Sequence, residues 1–398
     1  MKILWASEVT PDPDSGAGGT EWQLVRQLRG LGYEVECRWA EHLPRRIAHG
    51  NLHYACELPR VYARAILQAC RSDRFDVVTV NLGQSWLAAR RLRDAGFQGA
   101  FVVRSHGLDD HFDETLAYWR KQLNLSRGAA WKRLPGAILT RVLHNHLHKA
   151  ARLCDGYVVS NSLDARFLKQ RHGLRDEQIL NASQAAAQSF LDRPAPPMTA
   201  ERLRRVLYVA GFHFIKGPHA VAEAARRLLS RGDGTTMTWI CHPRDHARVR
   251  ELLGAELENR VQLCGWMPQD ELSRVFDSHG VFVYPTLFDG FGKVFLEAMA
   301  RGLCVIGTPA GGMIDLLRDG ENGLFCEFNH GGQIARQVTQ LQSDLPRARE
   351  ISRLAAETAR GLSWEGVGQQ LATFFETRLH ARQQIAGAFS GAMTCQNG

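Results

Sequence analysis

The stretch VFVYPTLFDGFGKVFLEAMARGLCVIGTPAGGMIDLLRDGENG, residues 281–323, decides how this chain folds. It reads as strand, loop, helix, strand, loop, helix. Val281 to Tyr284 is an apolar run of strand-forming residues halted by Pro285. Leu287 to Gly292 is a glycine-punctuated loop. Phe291 to Ala300 has helical spacing, with Val294, Phe295, Ala298 and Met299 on one face. Arg301-Gly302 ends that helix, because glycine suits the position after a helix terminus. Cys304 to Gly307 is a second short strand, and Thr308 to Gly312 a second glycine loop.

Two acids frame this unit. Asp289 lies in the loop ahead of the helix, and Glu297 lies about two turns inside it. Gly290-Phe291-Gly292 lets the backbone approach a ligand. The helix start offers free N–H groups and the positive end of a dipole, which suit a phosphate. Acids on either side of that phosphate can hold hydroxyls. The layout fits a nucleotide-sugar, with sugar hydroxyls at one end, a diphosphate in the middle and ribose hydroxyls at the other. Taken singly, Asp289 reads as a helix N-cap and Glu297 as part of a solvated face. The two glycine loops around them favour the ligand reading, and Lys293 joins Gly290, Phe291, Gly292 and Glu297 in the donor-binding set.

The segment resembles the C-terminal signature of the retaining GT-B glycosyltransferases of family four, the group 1 glycosyl transferases. That signature runs acid, glycine, phenylalanine, glycine, a second acid eight residues after the first, then a glycine pair. Here it is Asp289, Gly290, Phe291, Gly292, Glu297 and Gly311-Gly312, with Asp289 as a shorter substitute for the usual glutamate. The resemblance implies an α/β chain of two Rossmann-like domains whose parallel sheets face across a cleft. The expected boundaries are an acceptor-binding domain over 1–191 and a linker over 192–204. A nucleotide-sugar-binding domain over 205–363, a helix over 364–382 crossing back to the first domain and a loose tail over 383–398 complete the chain.

A chain of 398 residues with 44% hydrophobic and 23% charged residues suits a globular protein of two ordinary domains. No run approaches the length of a membrane span, and no secretory signal follows Met1. The nine cysteines are scattered, odd in number and without a C-x-x-C pair, which argues for reduced thiols and a cytoplasmic site. Net charge is +8. No acid occurs between Glu114 and Asp155, while Arg120, Lys121, Arg127, Lys132, Arg133, Arg141, Lys149 and Arg152 fall there. Trp131, Leu134, Ile138, Val142 and Leu143 are interleaved at near-helical spacing. Such a stretch, 115–154, suits peripheral contact with an anionic membrane, and equally a helix with a solvated basic face and an apolar core face. The aromatic-interleaved basic motifs of RNA readers are missing, so nucleic acid is not an expected partner.

Outside the organising segment, strands and helices alternate, which argues for a parallel sheet with helices on both faces. Lys2 to Ser7 is the first strand, and Gly16, Gly18 and Gly19 precede a helix from Thr20. The resemblance gives Gly18-Gly19 the approach to the donor phosphate. Residues 40–60 carry no clear pattern. Ala100 to Arg104 is a strand, and His106 follows it, where ligands of open α/β sheets collect. The resemblance implies that His106 contacts the donor sugar; Asp109, Asp110, His111 and Asp113 are free to meet the acceptor. Residues 192–200, DRPAPPMTA, break any regular element. Val206 to Val209 restarts the pattern, and the loop from Gly211 to Gly217 carries His213 and Lys216 ahead of a helix opened by Pro218. Lys216 sits where an ammonium can neutralise a diphosphate leaving group. The resembling family has an arginine where Phe212 stands. Trp266, in the turn before Pro268, reads either as a base-stacking ring or as core.

These readings converge on a sugar transferred from a UDP- or GDP-sugar to the hydroxyl of a glycan, lipid-linked sugar or small-molecule acceptor. His106, Asp289 and Lys216 are the catalytic set, and Gly18, Gly19, His213, Gly290, Phe291, Gly292, Lys293 and Glu297 bind the donor. The resemblance implies retention and neither metal nor cofactor. A sugar-nucleotide epimerase of the same architecture and, more remotely, a nicotinamide-dependent oxidoreductase are the alternatives.

Overall fold

The computed structural model describes residues 1–125, 133–257 and 260–394. It divides into two compact units, one of Met1–Ser183 with the chain from Trp364, the other Gln184–Ser363. In the first unit, β1 (Lys2–Ala6), β2 (Glu34–Arg38), β3 (Val77–Asn81), β4 (Ala100–Arg104), β5 (Gly156–Val159) and β6 (Ile179–Asn181) form one sheet in the order β2-β1-β3-β4-β5-β6. In the second, β7 (Arg205–Val209), β8 (Thr236–Ile240), β9 (Val261–Cys264), β10 (Val281–Tyr284), β11 (Cys304–Gly307) and β12 (Leu324–Phe325) run in the order β12-β11-β10-β7-β8-β9. The assigned pairs in both sheets are parallel.

Parallel strands covered by helices on both faces have no solvent side, which is why they read as continuous apolar runs. β3, β4, β10 and β11 are buried at every position. Each sheet also reverses direction once. The chain lays β1 and β2 to one side and restarts at β3 on the other; it lays β7, β8 and β9 to one side and restarts at β10. At such a reversal the crossovers leave to opposite faces and open a crevice at the strands' carboxyl ends. The residues that follow β1 and β3, and those that follow β7 and β10, therefore border the two natural binding positions.

The expected strands all form, and the departures have local causes. The first helix begins at Ala17, so Gly18 and Gly19 lie in its first turn and not in the loop before it. Much of 50–72 is helical, ending in helix Leu58–Ser72, whose Pro59 sits in the first turn where a missing N–H is harmless. The helix expected from Phe291 starts at Lys293, behind Gly292 at φ 85°. The last helix runs Trp364–Thr394, through the region expected to be loose, and its Phe374 and Arg378 side chains lie over Gly156 of β5.

The largest departure is at residues 192–204. They do not separate the units, since the division falls at Ser183/Gln184 and the proline-rich segment is fastened inside the second. Two buried arginines fasten it. Arg301, 1% exposed, donates to the carbonyls of Phe190, Arg193 and Pro194 and pairs with Asp277 at 2.6 Å. Arg202 donates to the carbonyls of Pro196, Pro197, His279 and Arg301. Proline removes a donor but keeps its acceptor, so a proline-rich strand offers carbonyls that only side chains can satisfy. Arg301→Leu strips the Phe190 and Pro194 carbonyls of this donor, leaves Asp277 with Arg193 alone, and is expected to destabilise the second unit by about 2 kcal/mol or more. Urea unfolding followed by far-UV circular dichroism, with the midpoint compared at constant slope, checks this.

Candidate active site

In the second unit the loops after β7 and β10 meet at the sheet reversal. The β7 loop ends in a short 3-10 turn, Phe214–Lys216, capped by Gly217 at φ 73°. A Cβ at Gly217 would overlap the carbonyl of Pro285, so glycine there is required both by backbone angle and by the close approach of the two loops. Leu287 N–H donates to Ile215 C=O at 2.6 Å and joins them further. Across this junction Lys216 Nζ lies 2.6 Å from Asp289 Oδ2. The Tyr284 hydroxyl donates to the same oxygen at 2.5 Å, and the ammonium is 3.4 Å from that hydroxyl. Burial, reinforced by the charge of Asp289, raises the Tyr284 phenol well above its ordinary range, so it stays a donor. Asp289 is not a helix cap: Gly292 occupies the cap position without a side-chain hydrogen bond.

The glycines of this region clear space for two side chains. A Cβ on Gly292 would stand 3.2 Å from Asp289 Oδ2, and one on Gly311, at φ 55°, would stand 2.9 Å from Asp289 Cβ. A Cβ on Gly312 would overlap the ring of Phe291, which is buried and lies 5.6 Å from Phe295. The Phe291 side chain is therefore core, and only its backbone borders the loop. Gly290 is buried in the same loop, and Lys293 opens the helix in a half-buried position. Glu297 is 5% exposed and not part of a solvated face; burial raises its carboxyl, with the Lys293 charge opposing. His213 is exposed, and its Nδ1 accepts the N–H of Ile215 at 3.3 Å. Over the Phe212 ring lies the Arg248 guanidinium, 4.4 Å from the ring centre. Trp266 is 51% exposed, which excludes the core alternative.

In the first unit His106 follows β4, and its Nε2 lies 2.8 Å from Oε1 of Glu21. Glu21 is fully buried, pairs with Arg104 of β4, and its Oε2 accepts Trp5 Nε1–H at 2.6 Å. Burial acts to raise this carboxyl, but the Arg104 charge and the His106 hydrogen bond outweigh it and hold Glu21 down at about 2. Glu21 was not singled out from the sequence. Its signal was an acid one turn inside the helix after Gly18-Gly19, with Trp5 and Arg104 on separate strands, and no spacing joins those three. Gly18 has a packing role, since a Cβ there would overlap the Thr10 carbonyl; the Gly19 N–H is taken by Ser15 Oγ at 3.2 Å.

Beside His106, Glu8 accepts Tyr62 Oη–H at 2.5 Å and Asn81 Nδ2–H at 3.0 Å. Asp109 and Asp110 open helix Asp109–Gln122; His144 lies 3.7 Å from Asp110 and 3.0 Å from Asp113, and His111 pairs with Asp164 at 2.7 Å. Among the described residues no group of three or more His, Cys, Asp or Glu is arranged to hold a metal. Helix Arg133–Leu153 carries the far half of the acid-free stretch, with Ile138 and Val142 exposed; Arg127, Trp131 and Lys132 lie outside the described residues.

Two Rossmann-like sheets, each with its polar cluster at the reversal, define the GT-B glycosyltransferase fold. The sucrose-phosphate synthase of Thermosynechococcus elongatus shares it at TM-score 0.71 and 18% identity, with 96% of this chain and 100% of that one covered. Anabaena HepE, solved in complex with UDP-glucose, shares it at TM-score 0.67 and 17% identity, covering 95% of this chain and 100% of that one. Residues 204–344 match the family model "Glycosyl transferases group 1". A D-inositol 3-phosphate glycosyltransferase of Corynebacterium aurimucosum is 24% identical over 60% of this chain, a match spanning 64% of that protein.

Burial pushes the Asp109 carboxyl up from 3.8 to about 6. The folded state then holds the extra proton between those values, and stability falls as pH rises through that window. Asparagine carries no such penalty. Asp109→Asn is expected to gain on the wild type from about pH 4 upward and to level off above about pH 7. Urea midpoints of both proteins across that range check it.

Proposed function

We propose that the protein transfers a sugar from a nucleoside-diphosphate sugar to an acceptor hydroxyl, with retention and without a metal. The observation that carries this reading is the Lys216 ammonium held 2.6 Å from Asp289 at the reversal of the second sheet. Helices Pro218–Leu229 and Lys293–Ala300 begin at the same two loops and turn their positive ends toward that place. As the bond from the anomeric carbon to the leaving oxygen breaks, its electron pair moves onto the diphosphate. Lys216 and the two helix starts stabilise the charge that gathers there, the task a metal performs in other transferases. The acceptor oxygen bonds to the carbon on the same face, and its proton passes to the departing phosphate.

Asp289 holds the sugar hydroxyls, with Tyr284 fixing the carboxylate. Glu297 accepts the ribose hydroxyls from its buried position. His106 and the carboxyls beside it serve sugar or acceptor hydroxyls. Uridine is the first base to test, since Anabaena HepE was solved with UDP-glucose. Polysaccharide or glycolipid synthesis on the cytoplasmic side is the setting that this chemistry suits. The cognate donor, drawn from a panel of UDP-, GDP- and ADP-sugars, is expected to raise the melting temperature. Lys216→Ala and Glu297→Ala are expected to stay folded, with Lys216→Ala losing about 100-fold or more in kcat. Nucleotide release that depends on added acceptor separates transfer from epimerisation. No stabilisation by any nucleotide-sugar, or unfolding of both variants, would sink the proposal.

No helix among the described residues is long and apolar enough to cross a membrane. Contact with an anionic surface is proposed from Ile138 and Val142, exposed on the helix that carries Arg141 and Lys149. Vesicles containing anionic lipid are expected to bind the protein in a salt-sensitive way, and Ile138→Asp with Arg141→Glu to abolish binding with the fold intact. Equal binding to neutral vesicles would contradict it.

A further inference from the structure

The buried carboxylate of Glu21 has a place in the core that stability alone does not explain. A buried ion pair such as Glu21–Arg104 adds little net stability over apolar residues of similar volume. Its geometry serves the neighbouring ring. Three donors converge on the carboxylate: Trp5 Nε1–H on Oε2, and Arg104 and His106 Nε2 on Oε1. The Arg104 guanidinium is itself fixed, donating to Thr79 Oγ1 at 3.0 Å and lying 3.5 Å from the Trp5 ring centroid. A carboxylate pinned beside a guanidinium stays ionised and can only accept. The imidazole nitrogen facing it must therefore carry hydrogen. That nitrogen is Nε2, and Nδ1 makes no hydrogen bond to the described residues. In the neutral ring Nδ1 then bears the lone pair. The His106 side chain is 21% exposed and follows directly on β4, at the carboxyl end of the first sheet. Glu8, from the loop after β1, is the other charged group that the ring faces.

We propose that Glu21 is a positioning residue that locks His106 in its Nε2–H form and so presents Nδ1 as an acceptor to a hydroxyl of the sugar or of the acceptor. The inference rests on the sugar-transfer reading and narrows it: the ring selects a group that donates hydrogen, and an anionic group at the same place finds no donor there. Arg104 keeps the carboxylate ionised, and Trp5 fixes its rotation.

The test is nitrogen NMR of the full chain labelled at histidine, with His106→Gln used to assign the His106 ring. In the wild type at assay pH, Nε2 is expected to carry the hydrogen and Nδ1 to show a lone-pair shift. Hydrogen on Nδ1 would overturn the proposal. Glu21→Leu combined with Arg104→Met removes the pair without orphaning either charge. This double variant, which orphans the Trp5 N–H but no charge, is expected to stay folded, yet to populate both tautomers and lose roughly ten- to a hundredfold in kcat, the scale of a lost outer-shell partner. An unchanged tautomer with unchanged kcat would make the pair merely structural. Should the double variant fail to fold, the wild-type spectrum still decides. If His106→Gln leaves transfer intact, the sugar-site reading of His106 fails, while the tautomer still reports on Glu21.

Discussion

The reversal of strand order between β7 and β10 is the constraint on which the second unit depends. It sends the crossovers that leave β7 and β10 to opposite faces and brings the loops after these two strands side by side. The contact of Lys216 with Asp289 is the direct product of that topology. Glycine at 217 lets one loop lie on the other, and Gly292, Gly311 and Gly312 leave room for Asp289 and Phe291. The first sheet repeats the arrangement with different chemistry. At its reversal it gathers a tyrosine and an asparagine around Glu8, with the Arg104 cation committed to Glu21.

Much of this was legible because parallel strands advertise themselves. A strand covered on both faces has no polar alternation, so short apolar runs ending in glycine loops mark both the strands and the places where ligands sit. Residues 281–323 carried strand, helix and both acids in one contiguous window, and Lys216 stood in the glycine-flanked loop after the second unit's first strand. What escaped were relations that sequence distance hides. Glu21 depends on Trp5 and Arg104, which approach only when β1 and β4 have taken their places beside the first helix. The proline-rich run read as a linker because its composition breaks regular elements, and it does; the missing fact was that Arg202 and Arg301 satisfy its carbonyls from within the second unit. Gly18 packs closely against Thr10 and the Gly19 N–H meets Ser15, contacts that glycine spacing alone does not disclose.

The two polar clusters differ in how they hold charge. Lys216 and Asp289 are partly exposed, so their pairing can be exchanged for a ligand's at modest cost. Glu21 and Arg104 are sealed from water, and breaking that pair would strand a charge in the core. One pair is suited to rearrange on binding and the other to stay fixed.

The helix Trp364–Thr394 belongs to the first unit although the whole second unit precedes it in the chain. The second unit is contiguous, and it can close as soon as its last strand and helices have left the ribosome. The first unit cannot, because Gly156 of β5 stays uncovered until Phe374 and Arg378 emerge. The half of the molecule translated first is therefore the half whose last element arrives latest.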